Sequence, residues 1–192
     1  MNTLTLNLRS MGELTDEQFE QIAATNQNLR LERTAKGELV IMPPTGGETG
    51  ERNLDVEGQL WLWNRQTRLG RAFNSSTGFK LPNGATRSPD ASWVTQARWN
   101  ALTPQQRKKF PPLCPDFVVE LLSEPDEIEE TQAKMQEYLD NGIRLGWLID
   151  PKTQQVEIYR SDRAIEVLQS PTTLSGEDVL PGFILDLQLI FS

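Results

Sequence analysis

The chain has 192 residues, with 19 Lys and Arg against 27 Asp and Glu, for a formal net charge of −8. It holds no histidine and a single cysteine, Cys114. That excludes Ser-His-Asp and Cys-His catalysis, histidine metal ligands, an internal disulfide and a thiolate zinc site. Any metal must be held by oxygen, which points to Mg²⁺, Mn²⁺ or Ca²⁺. A chain of this length forms one domain and buries a core without disulfide staples. No run approaches the ~18 consecutive apolar residues of a membrane helix. The start, Met1-Asn2-Thr3-Leu4, lacks the basic flank and apolar run of a signal peptide. A cytoplasmic protein with no membrane partner is expected. The acidic balance argues against broad electrostatic capture of nucleic acid.

In chain order, Thr15 with Gln18 three residues on has the spacing of a capping box and predicts a helix over 15–24. Leu29 to Glu32 and Glu38 to Met42, on either side of Ala35-Lys36-Gly37, read as a hairpin. Pro43-Pro44-Thr45-Gly46-Gly47 breaks the chain. A helix follows over about 51–69, with Leu54, Leu60, Leu62 and Trp63 at helical spacings and Gly58 in its interior. Strands are expected at Ala72–Asn74, Gly78–Leu81 and Asp90–Thr95, with Pro82-Asn83-Gly84 as the turn between the last two. A helical patch over 103–110 ends at Pro111-Pro112. The most apolar run, Phe117 to Leu122, reads as a central buried strand. A helix over 128–139 stops at Asn141-Gly142. Strands at 146–149, 155–160, 165–168 and 184–187 complete a mixed α/β or α+β order. The chain divides into an N-terminal helical extension (1–28), a core (29–160) and C-terminal strands (161–192) of one domain.

Glu120 lies inside Phe117-Val118-Val119-Glu120-Leu121-Leu122. An ionised carboxylate among such residues must be paired, protonated, metal-bound or open to a cleft, because burying a bare charge costs several kcal/mol. A satisfied structural carboxylate is as good a reading as a functional one from this feature alone. Asp90 opens a second strand. Asp116 shares the strand face of Glu120 but stands about 13 Å away at ~3.3 Å per residue, too far to share one ion. It suits a strand-start cap or a supporting position. The following helix carries Lys134 and Tyr138 on one face, with Gln132 and Gln136 beside them. Taken singly, Lys134 is an ordinary solvated lysine and Tyr138 a core-edge aromatic. Two acids on neighbouring strands with a lysine on the next helix make a set that suits metal-assisted phosphodiester hydrolysis, in which carboxylates hold the ion and a lysine orients the attacking water.

Pro89-Asp90, followed thirty residues later by Glu120, resembles the PD-(D/E)xK signature of the restriction-endonuclease-like superfamily. Further blocks sharpen the likeness: Met42-Pro43-Pro44-Thr45-Gly46-Gly47-Glu48-Thr49-Gly50, Pro89 to Val94, Pro115 to Ser123, Lys134-Met135-Gln136-Glu137-Tyr138, and Asn141 to Pro151. In this order they resemble the Uma-type restriction endonucleases abundant in cyanobacteria, from about Leu29 to Tyr159 and onward to the C-terminus. The resemblance implies a restriction-endonuclease-like core, a central mixed β-sheet flanked by helices. It implies Asp90 and Glu120 as the carboxylates for Mg²⁺ or Mn²⁺ and DNA as the substrate; duplex DNA is the expected form, while RNA or branched DNA would share the same chemistry and differ only in the substrate surface. The family's usual lysine, two residues after the second acid, is replaced by Leu122, so Lys134 takes that role with Tyr138 in support. A further acid is expected from the N-terminal helix region: Glu48, with Glu51 and Glu57 as alternatives.

A homodimer suits two-fold cleavage of a duplex. The rival reading, a catalytically silent module for DNA or protein interaction, draws on Leu122 and the net charge. Arg107-Lys108-Lys109 reads better as a solvated helix face than as a phosphate contact. Arg65, Arg68 and Arg71 are candidates for a DNA-facing side. Trp61, Trp63, Trp93, Trp99 and Trp147 read as core or dimer-interface anchors. Cys114, between prolines and without a histidine, is not expected to be a nucleophile. Gly46-Gly47 with Gly50 lacks the Lys-Ser/Thr of a P-loop.

Overall fold

The computed structural model describes residues 3–8, 10, 12, 14–124 and 126–192. Met1, Asn2, Arg9, Met11 and Glu13 of the expected N-terminal extension lie outside them. The extension contributes strand β1 (Leu4–Leu6) and helix α1 (Asp16–Thr25). Helix α1 begins at the capping box expected from Thr15 and Gln18, with both reciprocal bonds formed. Strands β2 (Arg30–Arg33) and β3 (Leu39–Met42) form the expected antiparallel hairpin.

Helix α2 (Gly47–Thr67) starts earlier than the sequence suggested, and extended Gly46 is its N-cap. Glu48 in its first turn suits the helix dipole. Strand β4 (Gly70–Asn74) follows, then β5 (Phe79–Lys80) and β6 (Thr86–Arg87). The turn at Pro82-Asn83-Gly84 therefore closes β5 onto β6, a strand too short to read from alternation, and does not lead directly to the next long strand. That strand is β7 (Ala91–Thr95), succeeded by helices α3 (Gln96–Ala101) and α4 (Pro104–Lys108). Strand β8 (Phe117–Leu121), helix α5 (Ile128–Asp140) and strand β9 (Leu145–Asp150) form a crossover unit. Strands β10 (Gln155–Arg160) and β11 (Arg163–Gln169) extend the sheet, and β12 (Thr173–Ser175) pairs with β13 (Ile184–Asp186).

The six-stranded sheet runs β11-β10-β9-β8-β7-β4. Strands β8 and β9 are parallel, as a helical crossover permits, and the other pairings are antiparallel, so the sheet is mixed. All five residues of β8 are buried. Alternation sends Phe117, Val119 and Leu121 to one face, where they pack with Val56, Leu60 and Trp63 of α2. Val118 points to the other face and packs with Met135 and Tyr138 of α5. Gly146 in β9 is what lets α5 settle there: a Cβ would stand 2.6 Å from the Met135 side chain and 2.8 Å from that of Ile143. Gly142, at φ +96°, ends the helix in a conformation few side chains tolerate.

A second sheet, ordered β1-β3-β2-β6-β5, carries β2 in its middle. Leu31, Glu32 and Arg33 of β2 are all buried, so both faces of this strand are covered. The fold is the mixed α+β arrangement expected, with a central mixed sheet between helices.

Candidate active site

Asp90 and Glu120 meet across the β7–β8 ladder. Ala91 pairs with Val119, and continuing that antiparallel register by one step sets Asp90 opposite Glu120. Asp90 Oδ2 accepts the Leu121 backbone N–H at 2.9 Å, which fixes its carboxylate beside the strand. Glu120 is 6% exposed, while Asp90 is half-buried and so within reach of solvent.

Helix α5 supplies the counter-groups. Lys134 Nζ stands 2.9 Å from Glu120 Oε1, and the Tyr138 hydroxyl donates to the same oxygen at 3.0 Å. The helical spacing of these two side chains puts both over one carboxylate. Leu122, which stands where the family's lysine was sought, is buried in the apolar cluster beneath α5.

A third acid enters from the other sheet. Glu32 of β2 is 2% exposed and accepts the Ser88 N–H at 2.8 Å, Arg87 Nη1 at 3.1 Å and Lys134 Nζ at 3.2 Å. Lys134 thus bridges Glu32 and Glu120 and joins the two sheets. Arg87 in turn reaches Glu137 of α5 at 2.5 Å, and Asn83 donates to the other oxygen of Glu137. Each cation is shared between two acids, so the Asp90–Glu120 end of the cluster remains short of positive charge.

The proton affinities follow from that arrangement. Burial, together with Asp90 and Glu32 nearby, pushes Glu120 up to about 7 despite Lys134. Burial also raises Asp90, against the Leu121 N–H and the fields of Lys134 and Arg30. For Glu32 burial is outweighed by Lys134, Arg87 and the Ser88 N–H, and it lies below the usual carboxylate range. Lys134 is held well above an ordinary lysine because Glu120 and Glu32 overrule its burial. Tyr138 is raised by burial and by both acids, so it remains a neutral phenol.

The other candidates are placed elsewhere. Asp116, at the far end of β8, accepts the Thr95 N–H at 2.8 Å and pairs with Arg98 at 3.0 Å, a structural tie between strands. Glu48 sits in the first turn of α2 with its side chain 85% exposed and Arg52 at 3.9 Å. Glu51 is exposed on the same helix, and Glu57 accepts the Ser75 N–H. The structure brings none of the three to Asp90 and Glu120; the acid it does bring is Glu32. Simple alternation assigns Glu32 to the solvent side of its hairpin, and only the packing of the second sheet over it reveals otherwise.

Gln132 donates to Glu157 of β10 at 2.6 Å, where Tyr159 donates to the other oxygen, whereas Gln136 pairs with Asp140 on the helix surface. Arg107 lies over Trp99 and Lys109 pairs with Glu20, so the basic run is largely tied to its own surface. The Cys114 thiol is buried and raised to about 12, which keeps it unreactive.

Among the described residues no three or more His, Cys, Asp or Glu side chains are gathered to hold a metal ion. The donor set on offer is the pair Asp90 and Glu120. A pair suits Mg²⁺, which keeps several waters and is commonly bound through one or two carboxylates plus substrate phosphate.

Compared with known proteins, residues 16–188 match the model of the Uma2 family, described as "Putative restriction endonuclease". No curated protein sequence matches. Among solved structures, the chain is similar to a "putative nuclease belonging to DUF820" from Anabaena variabilis ATCC 29413. The TM-score is 0.70 and the identity 21%, over 84% of this chain and 89% of that one. At this identity the likeness establishes the shared fold. Among the described residues no helix is long and apolar enough to cross a membrane.

Proposed function

The chain belongs to the Uma2 family, and from that premise we propose that it is a Mg²⁺- or Mn²⁺-dependent endonuclease that hydrolyses phosphodiester bonds of duplex DNA in the cytoplasm. The observation that carries this reading is Lys134, a half-buried ammonium held 2.9 Å from Glu120 in a site where Asp90 and Glu120 lack a full complement of positive charge.

Asp90 and Glu120 are the residues that would hold the ion. Bound there, a hard divalent cation would polarise the phosphodiester as a Lewis acid and lower the pKa of an attacking water. The chain's own groups divide the remaining work. Lys134 is held as an ammonium by two acids, so it is a donor that orients water and offsets charge developing on the phosphate, and it is no general base. Glu32 positions Lys134 from the opposite sheet. Tyr138 fixes the Glu120 carboxylate through Oε1. Asp116 supports the other end of the strand without touching the site.

At net charge −8, DNA must be gripped by a focused set of cations, so binding falls steeply with salt. The test is cleavage of plasmid and linear duplex at low salt with Mg²⁺ or Mn²⁺, comparing wild type with Asp90→Ala, Glu120→Ala and Lys134→Ala. Metal-dependent nicking abolished in Asp90→Ala and Glu120→Ala and strongly slowed in Lys134→Ala is the expected result. Intact DNA with wild type, or equal cutting by the variants, overturns the proposal. The buried Leu122 would then favour the rival reading, a silent module of the same fold.

A further inference from the structure

Helix α2 turns its polar-looking side outward, yet that side is neither uniformly polar nor needed by the fold. Its core face, Asn53, Val56, Leu60 and Trp63, packs on the sheet. At about 3.6 residues per turn, the stripe opposite that face runs Glu51, Leu54, Gly58, Trp61, Leu62 and Arg65, and all six are exposed. Leu54 is 67% exposed, Trp61 53% and Leu62 52%. Three large apolar side chains on one exposed helix face form the kind of patch that marks an interaction surface.

Gly58, at the centre of the stripe, is unexplained by the chain itself. A glycine in a helix interior is destabilising relative to alanine, because it gives up more backbone freedom on folding. A Cβ at this position would meet nothing within 4 Å. No neighbour within the molecule demands the missing side chain, whereas a backbone approaching from outside would.

The stripe is also complementary to itself. Turned about a two-fold axis through Gly58, residues equally far along the helix on either side face one another: Glu51 meets Arg65, and Leu54 meets Leu62. Among the described residues neither Glu51 nor Arg65 makes an ion pair within the chain, and the Arg65 guanidinium lies over the Trp61 ring at 5.2 Å. Antiparallel crossing also opposes the two helix dipoles. Beside the stripe, a groove of about 480 Å³ lined by Leu54, Trp61, Ala72 and Phe73 runs between α2 and β4.

We propose that this face of α2 is the homodimer interface, two copies crossing antiparallel at Gly58 with Glu51–Arg65 pairs flanking Leu54–Leu62 contacts. An isologous interface demands this kind of self-complementarity, and a partner of another kind does not. The proposal is independent of the nuclease reading, because α2 packs on the sheet face opposite the acidic cluster. Both sites remain open in such a dimer.

Sedimentation velocity of the intact chain tests it. Wild type sediments as a dimer, and Trp61→Glu raises the dissociation constant at least about tenfold, as expected for loss of a central aromatic anchor. Glu51→Arg and Arg65→Glu each weaken association, and the double reversal restores it. Unchanged circular dichroism separates loss of association from loss of fold. Under mild oxidation the double variant Leu54→Cys/Leu62→Cys, whose positions face one another across the axis, forms a disulfide-linked dimer, while Lys108→Cys, exposed elsewhere, does not. A monomeric wild type, a double reversal that fails to restore association, or cross-linking of the Leu54→Cys/Leu62→Cys variant no greater than that of Lys108→Cys overturns the proposal.

Discussion

Two buried acids four residues apart, Glu120 in strand β8 and Asp116 just before its first residue, live in opposite circumstances. Asp116, at one end, has its needs met: a backbone N–H on one oxygen and an arginine on the other. Glu120, at the other end, shares its lysine with Glu32, faces Asp90 across the ladder, and is pushed up to about 7. Equal burial therefore does not make equal sites. A carboxylate answered by its own partners holds the fold, and one left short of positive charge is available for a cation and a substrate.

Substitutions at the two ends should separate these roles. The largest expected effect is at the short-changed end, where Asp90→Ala or Glu120→Ala takes metal-dependent cleavage below detection in a plasmid assay while the fold persists. Lys134→Ala lowers the rate by about 10²–10³-fold, the scale of losing one donor to developing charge. Because it also leaves Glu32 and Glu120 without their bridge, Lys134→Arg serves as the control that keeps the charge. At the satisfied end, Asp116→Ala costs about 1–3 kcal/mol by orphaning the Thr95 N–H, read as a lower denaturation midpoint, with little change in cleavage rate per folded molecule.

Stability against pH sharpens the contrast further. The Glu120 affinity for protons is raised on folding, so the folded state binds more protons than the unfolded state between the ordinary glutamate value and about 7, and stability falls as pH rises through that window. With chelator present, Glu120→Gln should stabilise the protein at pH 8 and leave it nearly unchanged at pH 4, as read from thermal midpoints. Glu32 has the opposite sign. Its folded value is depressed, so its contribution is present above the ordinary glutamate range and fades as pH falls through the folded value, and Glu32→Gln destabilises at pH 8. The smallest effect is at Glu48, exposed in the first turn of α2: Glu48→Ala should leave cleavage unchanged and stability within about 0.5 kcal/mol.

The parts legible in the sequence were those with a local signature. Thr15 and Gln18 announced a capping box, and an acid inside Phe117 to Leu122 announced an unusual site. Lys134 and Tyr138 declared a shared helix face by their spacing. What escaped reading depended on distant packing. Glu32 lies in a strand covered on both faces, so its alternation carried no hint of burial. Helix α2 begins among glycines that resemble a loop, because Gly46 serves as its cap. Strand β6 has only two residues, and it exists through pairing with β2 and β5.

The account's central claim is that the charge shortfall at Asp90 and Glu120 makes that end of β8 a cation site. Calorimetric titration with Mn²⁺ tests it most directly, on wild type, Glu120→Gln and Asp116→Asn. Saturable binding that Glu120→Gln abolishes and Asp116→Asn preserves is the predicted result. Equal binding by wild type and Glu120→Gln, or none by wild type, would contradict it.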